Sequence, residues 1–368
     1  MFLKTFGWSL LVAVVGLALG FVYGKGTGLA VVAILAILEI SLSFDNAVVN
    51  ATVLVRMSQF WQKIFLSVGV IIAVFGMRLV FPLLIVGITA QISPVEAVRL
   101  ALDKGDKDTP GTYGYLLHDA HPAIAAFGGI FLLLLFLDFI FEERDITWLS
   151  FIERPLARIG KLDQLSVVVA LGALAVAAYT LAPDHKVSTV LVSGVLGMAT
   201  YLLVNGLGEL FNVDDEIERE AGGDNAPRDA NGLKLAVGKA AFFLFLYLEV
   251  LDASFSFDGV VGAFAITSDP IIIAIGLGIG AMFIRSLTVF LVRKGTLSEY
   301  VYLEHGALWA IGALAVLLLV TIEYEVPEVV TGLIGVGFIA AAFVSSVVRN
   351  RREDGASEPE SDKVEIGA

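Results

Sequence analysis

The sequence predicts an all-α polytopic membrane protein, and three observations carry that prediction. The 368 residues are 57% hydrophobic and 17% charged, with a mean hydropathy of +0.86, a balance outside that of water-soluble domains. The apolar residues fall into about ten runs, near 7–24, 28–53, 64–90, 121–141, 165–182, 188–210, 236–265, 270–292, 304–322 and 328–348. Runs of roughly 17–25 residues are what a helix needs to cross hydrocarbon. One acidic stretch inside these runs also occurs twice, as Glu39-Ile-Ser-Leu-Ser-Phe-Asp45-Asn46-Ala-Val-Val and as Asp252-Ala-Ser-Phe-Ser-Phe-Asp258-Gly259-Val-Val.

Taken in order, the first run follows Lys4 and looks like a signal peptide, but no small-x-small cleavage site follows it, and the repeat needs it as a helix. Between the runs lie polar segments at 91–120, 142–164 and 212–234. The second, with Glu142, Glu143, Arg144, Asp145, Glu153, Arg154 and Arg158, reads as an amphipathic surface helix. The third, with Asp214, Asp215, Glu216, a Gly pair and Pro227, reads as a flexible linker. The acidic tail after Arg352 lacks apolar periodicity and is expected to be disordered.

If both termini are placed on one side, that side collects most of the loop Lys and Arg, including Arg56, Lys63, Arg144, Arg293 and Arg349. Both termini are therefore expected to be cytoplasmic, in a cell (inner) membrane. The net charge of -13 lies in loops and tail, no basic nucleic-acid patch is present, and the absence of cysteine excludes thiolate ligands. Oxygen and imidazole remain, which favour hard ions.

The duplication extends beyond the motif. Arg78 follows the first copy as Arg285 follows the second, and His121 has a counterpart in His305. Each half then holds five helices, and an odd number inverts the second half relative to the first, the plan of many secondary transporters. The division is 1–164 for the first four helices with a cytoplasmic loop, 165–187 for the fifth, 188–350 for the second repeat and 351–368 for the tail. The alternation puts Glu39 and Asp252 near mid-membrane, with Asp45 towards the cytoplasm and Asp258 towards the outside. The six-residue gap within each motif is roughly 9 Å along a helix.

On an unbroken helix Glu39, Ser43, Asn46 and Asn50 share a face, and in the second copy so do Glu249, Asp252, Ser256 and Gly259. Asp45 is rotated away, so either the helix unwinds near Ser43–Phe44 or Asp45 faces another neighbour; Gly259 would permit a break in the second copy. Intramembrane acids mark pathways by default. This oxygen-rich set suits Mn²⁺, Mg²⁺ or Ca²⁺, or protons as counter-ion. Arg78 and Arg285 are read as charge-compensating cations when no metal is bound. His118, Asp119 and His121 offer an outer metal site, although a plain helix-start cluster is the better reading, and Glu304-His305 is treated alike.

The pattern Glu-x-x-Leu-Ser-x-Asp-Asn at Glu39–Asn46 resembles the TerC family of integral membrane proteins, named for tellurium resistance. Glu249, Asp252 and Phe255-Ser256-Phe257-Asp258 are similar to that family's second acidic motif, and Tyr302-Leu303-Glu304-His305-Gly306 also looks like a family feature. The resemblance covers roughly 28–345. It implies divalent metal export, chiefly of Mn²⁺, within a wider superfamily of small-solute exporters. It also implies Glu39, Asp45, Asn46, Asp252 and Asp258 as ligands, with Glu249, Ser43, Ser256 and Asn50 as additional candidates. Asp258-Gly259 departs from a second Asp-Asn, losing a ligand for which Glu249 compensates.

The expectation is thus a non-enzymatic exporter of a divalent cation with no permanently bound cofactor. Its partners would be lipid, the cation, protons and a second copy of the chain. Three rivals stand beside it: a proton-coupled exporter of a small organic solute, a stress-response scaffold acting through 212–230 and the tail, and an intramembrane aspartyl protease using Asp45 and Asp258. The last lacks a Gly-x-Gly-Asp element.

Overall fold

The computed structural model describes residues 2–103, 108–162, 164–210, 235–267, 269–294 and 299–357. Within these ranges the side chains of residues 2–4, 45, 81, 207–210, 254–258, 261, 262, 264, 265, 293, 294, 328 and 353–357 lie outside the description. The linker 212–230 and most of the acidic tail fall outside it too.

The protein is an all-α polytopic membrane protein. Seven helices among the described residues are long and apolar enough to span a bilayer. No strand occurs among them; a single bridge joins Met57 to Ala236. The first helix, α1 (Phe2–Leu42), covers two of the expected spans. It reverses at Lys25, which sits at φ 54°, ψ -143° between two glycines. The reversal brings Gly20 against Gly28 and Val32, a contact a straight helix would forbid.

The second limb, 26–42, continues as α2 (Phe44–Leu54). The third span combines α3 (Gln59–Ile64), two π-helical stretches (Phe65–Gly69 and Ile72–Val80) and α4 (Phe81–Thr89). A short α5 (Pro94–Leu102) follows, capped by Ser93, whose hydroxyl accepts from the Glu96 N–H, with Pro94 at the first position. Then come α6 (Tyr113–Phe141), the surface helix α7 (Ser150–Ile159), the short apolar α8 (Leu165–Thr180) and α9 (Val187–Leu210). The second motif lies on α10 (Gly238–Ile266), followed by α11 (Pro270–Lys294), α12 (Leu303–Val320) and α13 (Glu328–Ser357). Each of the ten expected spans corresponds to one of these segments or limbs.

Contacts give the relative directions. On α6 and α12, Gly129 meets Leu319 while Phe136 stacks edge-on with Trp309 at 5.2 Å, so these two run antiparallel. Glu39 meets Gly259, and Met57 bridges Ala236, so the two motif helices also cross antiparallel, as an inverted repeat requires. The largest core gathers Phe131, Leu134, Leu308 and Leu318 from α6 and α12 with neighbours from α2 and α9. A second joins α1, α10 and α11 through Leu35, Val260 and Leu277. The outer faces of α1 and α13 expose Val14, Val22, Leu333 and Val344, the surface that hydrocarbon would cover.

The surface helix α7 is tethered by one side chain. Glu153 is buried, accepts from the backbone N–H groups of Trp148 and Leu149 and from Trp309 Nε1 at 3.1 Å, and lies 3.3 Å from His305 Nδ1. Burial by itself would raise its pKa. The hydrogen bonds involving His305, Trp309 and the Leu149 backbone, with the charge of His305, outweigh that and lower it to about 2. A depressed carboxylate pKa contributes stability above its ordinary value, lost as pH falls from about 4.5 towards 2. Acid titration of Trp309 emission should therefore show α7 releasing in that window. Glu153→Gln should release it at neutral pH, at a cost of about 1–3 kcal/mol.

Candidate functional site

The first motif occupies a helix that bends at a single residue. Ser43 leaves helical geometry at φ -99°, ψ 16°. The ladder continues on either side, with Ser43 N–H bonded to Glu39 O at 3.0 Å and Ala47 N–H to Ser43 O at 3.4 Å. The expected unwinding near Ser43–Phe44 is thus a one-residue kink. In the second copy, α10 runs continuously through Gly259, so the break that glycine would have permitted does not occur.

The glycine serves a different purpose. A Cβ at position 259 would lie 2.8 Å from Glu39 Oε2, and one at Gly280 on α11 would overlap the Glu39 Cβ and Cγ. Glu39 is 1% exposed and fills the niche that these two glycines leave between α10 and α11. Its Oε1 accepts from Ser43 Oγ at 3.1 Å and pairs with the Arg78 guanidinium. Arg78, 4% exposed, also donates to Ala73 O at 2.5 Å.

The second half builds a matching set. Arg285 Nη2 lies 3.4 Å from Asp252 Oδ2 and 3.5 Å from Glu249 Oε1, and all three are buried. The guanidinium also donates to Phe65 O at 3.3 Å and Gly69 O at 3.2 Å, and stacks over the Phe65 ring at 3.8 Å. Those acceptors, like Ala73 O, sit in the π-helical stretches. The wider π turn loosens the regular carbonyl ladder and turns oxygens sideways. Gly69 completes the fit, because a Cβ there would come within 2.6 Å of Glu249 Oε1.

Each arginine therefore pairs with acids of its own half, as the repeat predicts. The sequence expectation places Glu39 and Asp252 near mid-membrane, and the packing offsets them along the bundle. Glu39 meets Gly259 and Gly280, while Arg285 lies five residues further along α11, roughly 7.5 Å away. The antiparallel crossing causes this, because moving from Glu39 towards Asn50 runs against moving from Gly259 back to Glu249. The result is two acid–arginine sets stacked along the bundle.

The sets carry different charge. Glu39 has an arginine to itself, whereas Arg285 faces two carboxylates. Neither oxygen of Glu249 has a hydrogen-bond partner. Asn50 is fully buried on α2 with both amide atoms unpartnered, and Asn46 and Ser43 are buried beside it in sequence. The side chains of Asp45, Ser256 and Asp258 lie outside the described residues. Among the described residues no three His, Asp or Glu side chains converge as a metal group. At the start of α6, Asp119 pairs with Lys186 and His121 Nε2 turns to Thr321 O at 3.2 Å, while His118 lies near enough to act on His121.

Sequence reasoning missed Gly69, Gly280 and the π turns. It also passed over Asp138, a lone acid inside the apolar run of α6.

A family model described as "Protein of unknown function (DUF475)" matches residues 44–353. No curated protein and no solved structure matches the chain. The matched region takes in both arginines, Asp45 and the whole second motif, and begins just after Glu39 and Ser43. The TerC resemblance rests on the quoted motif residues alone.

The packing makes a direct prediction. Gly280→Ala should destabilise the protein by about 1–3 kcal/mol, through overpacking against Glu39. Gly172→Ala on α8, where a Cβ meets nothing within 4 Å, should be neutral or slightly stabilising. Thermal unfolding in one detergent, the two variants side by side, measures the difference.

Proposed function

The chain belongs to the DUF475 family, and we propose that this member is a secondary transporter that carries a cation past the two acid–arginine sets. The observation that carries the proposal is the buried pairing of Glu39 with Arg78 and of Glu249 and Asp252 with Arg285, on antiparallel motif helices within apolar spans. A carboxylate in hydrocarbon costs several kcal/mol and persists where a pathway needs it. The arginine neutralises the acid while the site is empty. An arriving cation competes with it, so that binding and release of the guanidinium become one exchange. The inner set, with two carboxylates for one arginine, keeps a negative charge that favours the cation.

Mn²⁺ is the first candidate, on the resemblance to TerC and on the oxygen-only chemistry of the motifs. In that reading Asp45, Asn46 and Asp258 join Glu39 and Asp252 as ligands, Glu249, Ser43, Ser256 and Asn50 complete the shell, and export runs from a cytoplasm that holds both termini. A second reading is a proton-coupled exporter of a small organic solute. Glu249, whose oxygens accept no hydrogen bond and which lies 3.5 Å from Arg285 Nη2, favours it, because a buried carboxylate beside an arginine is a natural proton carrier. No enzymatic step is part of either reading.

Flux into proteoliposomes decides between them. Saturable Mn²⁺ uptake is expected, reduced at least about tenfold by Glu39→Gln, Asp252→Asn, Asp45→Asn or Asp258→Asn, since each removes a charge from a site in which charge is costly. Folded protein that moves none of Mn²⁺, Mg²⁺ and Ca²⁺ would reject the cation and leave the organic solute.

A further inference from the structure

A cavity of about 1230 Å³ opens at the end of the bundle where α2, α6 and α9 finish and α8, α10 and α12 begin. Its floor belongs to the motif helices, with Val49 and Thr52 from α2 and Tyr247 from α10. In the chain these residues adjoin Asn50 and lie two positions from Glu249. The cavity thus abuts both motif helices at positions close in the chain to Asn50 and Glu249. The space is far larger than the void that a single buried water fills.

Asp138 stands in the cavity wall on α6, half-buried, and its carboxylate accepts from the Tyr201 hydroxyl at 2.5 Å. The cavity's Arg144 is occupied by Glu142 and by Glu304 at 3.6 Å. Arg56 also lines the cavity, and it and Asp138 both act on the Tyr247 hydroxyl, without an ion pair to Asp138 among the described residues. Asp138 is thus an acid inside an apolar span, facing open space, held by a hydroxyl that can rotate away. In a cleft with low-dielectric walls a carboxylate focuses field lines and raises the local cation concentration.

We propose that this cavity is the water-filled vestibule of the transport path, and that Asp138 is the carboxylate in it that captures the cation before the motif acids receive it. The inference rests on the transport reading above and adds to it a residue outside both motifs. It also assigns the described conformation as open at one end, with the Glu39 set packed shut against Gly259 and Gly280 beyond the inner set.

The chain contains no cysteine, so a single introduced thiol reports its own surroundings. Thr52→Cys, in sealed vesicles, should react with a charged, membrane-impermeant methanethiosulfonate from one face only. Val14→Cys, on the apolar face of α1, should not react from either. Mn²⁺ should slow the Thr52→Cys reaction at least threefold. Asp138→Asn in the same background should raise the Mn²⁺ concentration needed for that protection about tenfold. Tyr201→Phe, which frees the carboxylate while keeping the ring, should give protection at lower Mn²⁺ and guards against a misfolded Asp138 variant. Reaction from both faces or from neither overturns the vestibule. Protection indifferent to both Asp138→Asn and Tyr201→Phe overturns the capture role. Absent flux with Asp138-dependent protection removes the transport reading and leaves the cavity site standing.

Discussion

A charge carried into hydrocarbon has to be met by another charge, and this protein meets five of them. Glu39, Glu249, Asp252, Arg78 and Arg285 are each at most 5% exposed, deep within apolar spans. An isolated ion in such surroundings is costly, and a buried pair is tolerated only when its geometry and its remaining hydrogen bonds are well satisfied. That constraint explains features that would otherwise look unrelated. The kink at Ser43 keeps a hydroxyl on Glu39. The π turns of the third span offer Phe65, Gly69 and Ala73 carbonyls to the arginines. The glycines at 69, 259 and 280 give up side chains where carboxylates must fit.

The same constraint gives the two sets their different characters. The Glu39–Arg78 pair is enclosed by helix packing on α10 and α11, so opening it means moving helices apart. The Arg285 set holds an excess carboxylate and lies beneath a cavity. The bridge from Met57 to Ala236, with Ser58 N–H bonded to Ala236 O at 3.0 Å, clasps the ends of the motif helices.

Much of this was legible in the sequence, for physical reasons. Hydropathy located the spans because nothing but a run of apolar residues can cross a bilayer as a helix. The duplicated motif pointed to the inverted repeat, and an arginine in the helix after each copy pointed to Arg78 and Arg285 as the cations that offset the acids. What the sequence did not give was register between distant helices. Both Glu39 and Asp252 were expected near mid-membrane, but that Glu39 would lie against Gly259 is decided by tertiary packing and by neither helix alone. The π turns carry no clear residue signature, and Gly259 read as a lost ligand until the carboxylate it accommodates was in view. Asp138 was a single acid without a repeat partner, so no pattern pointed to it.

The central claim is that Glu39 and Arg78 exist for each other inside the membrane. A double-mutant cycle with Glu39→Gln and Arg78→Gln, read as thermal stability in one lipid environment, tests it most directly. Removing one partner leaves a buried charge alone, at a cost of about 3–5 kcal/mol. The double variant should therefore be more stable than either single variant. Losses that simply add would contradict the account, since they would mean that the two charges do not meet.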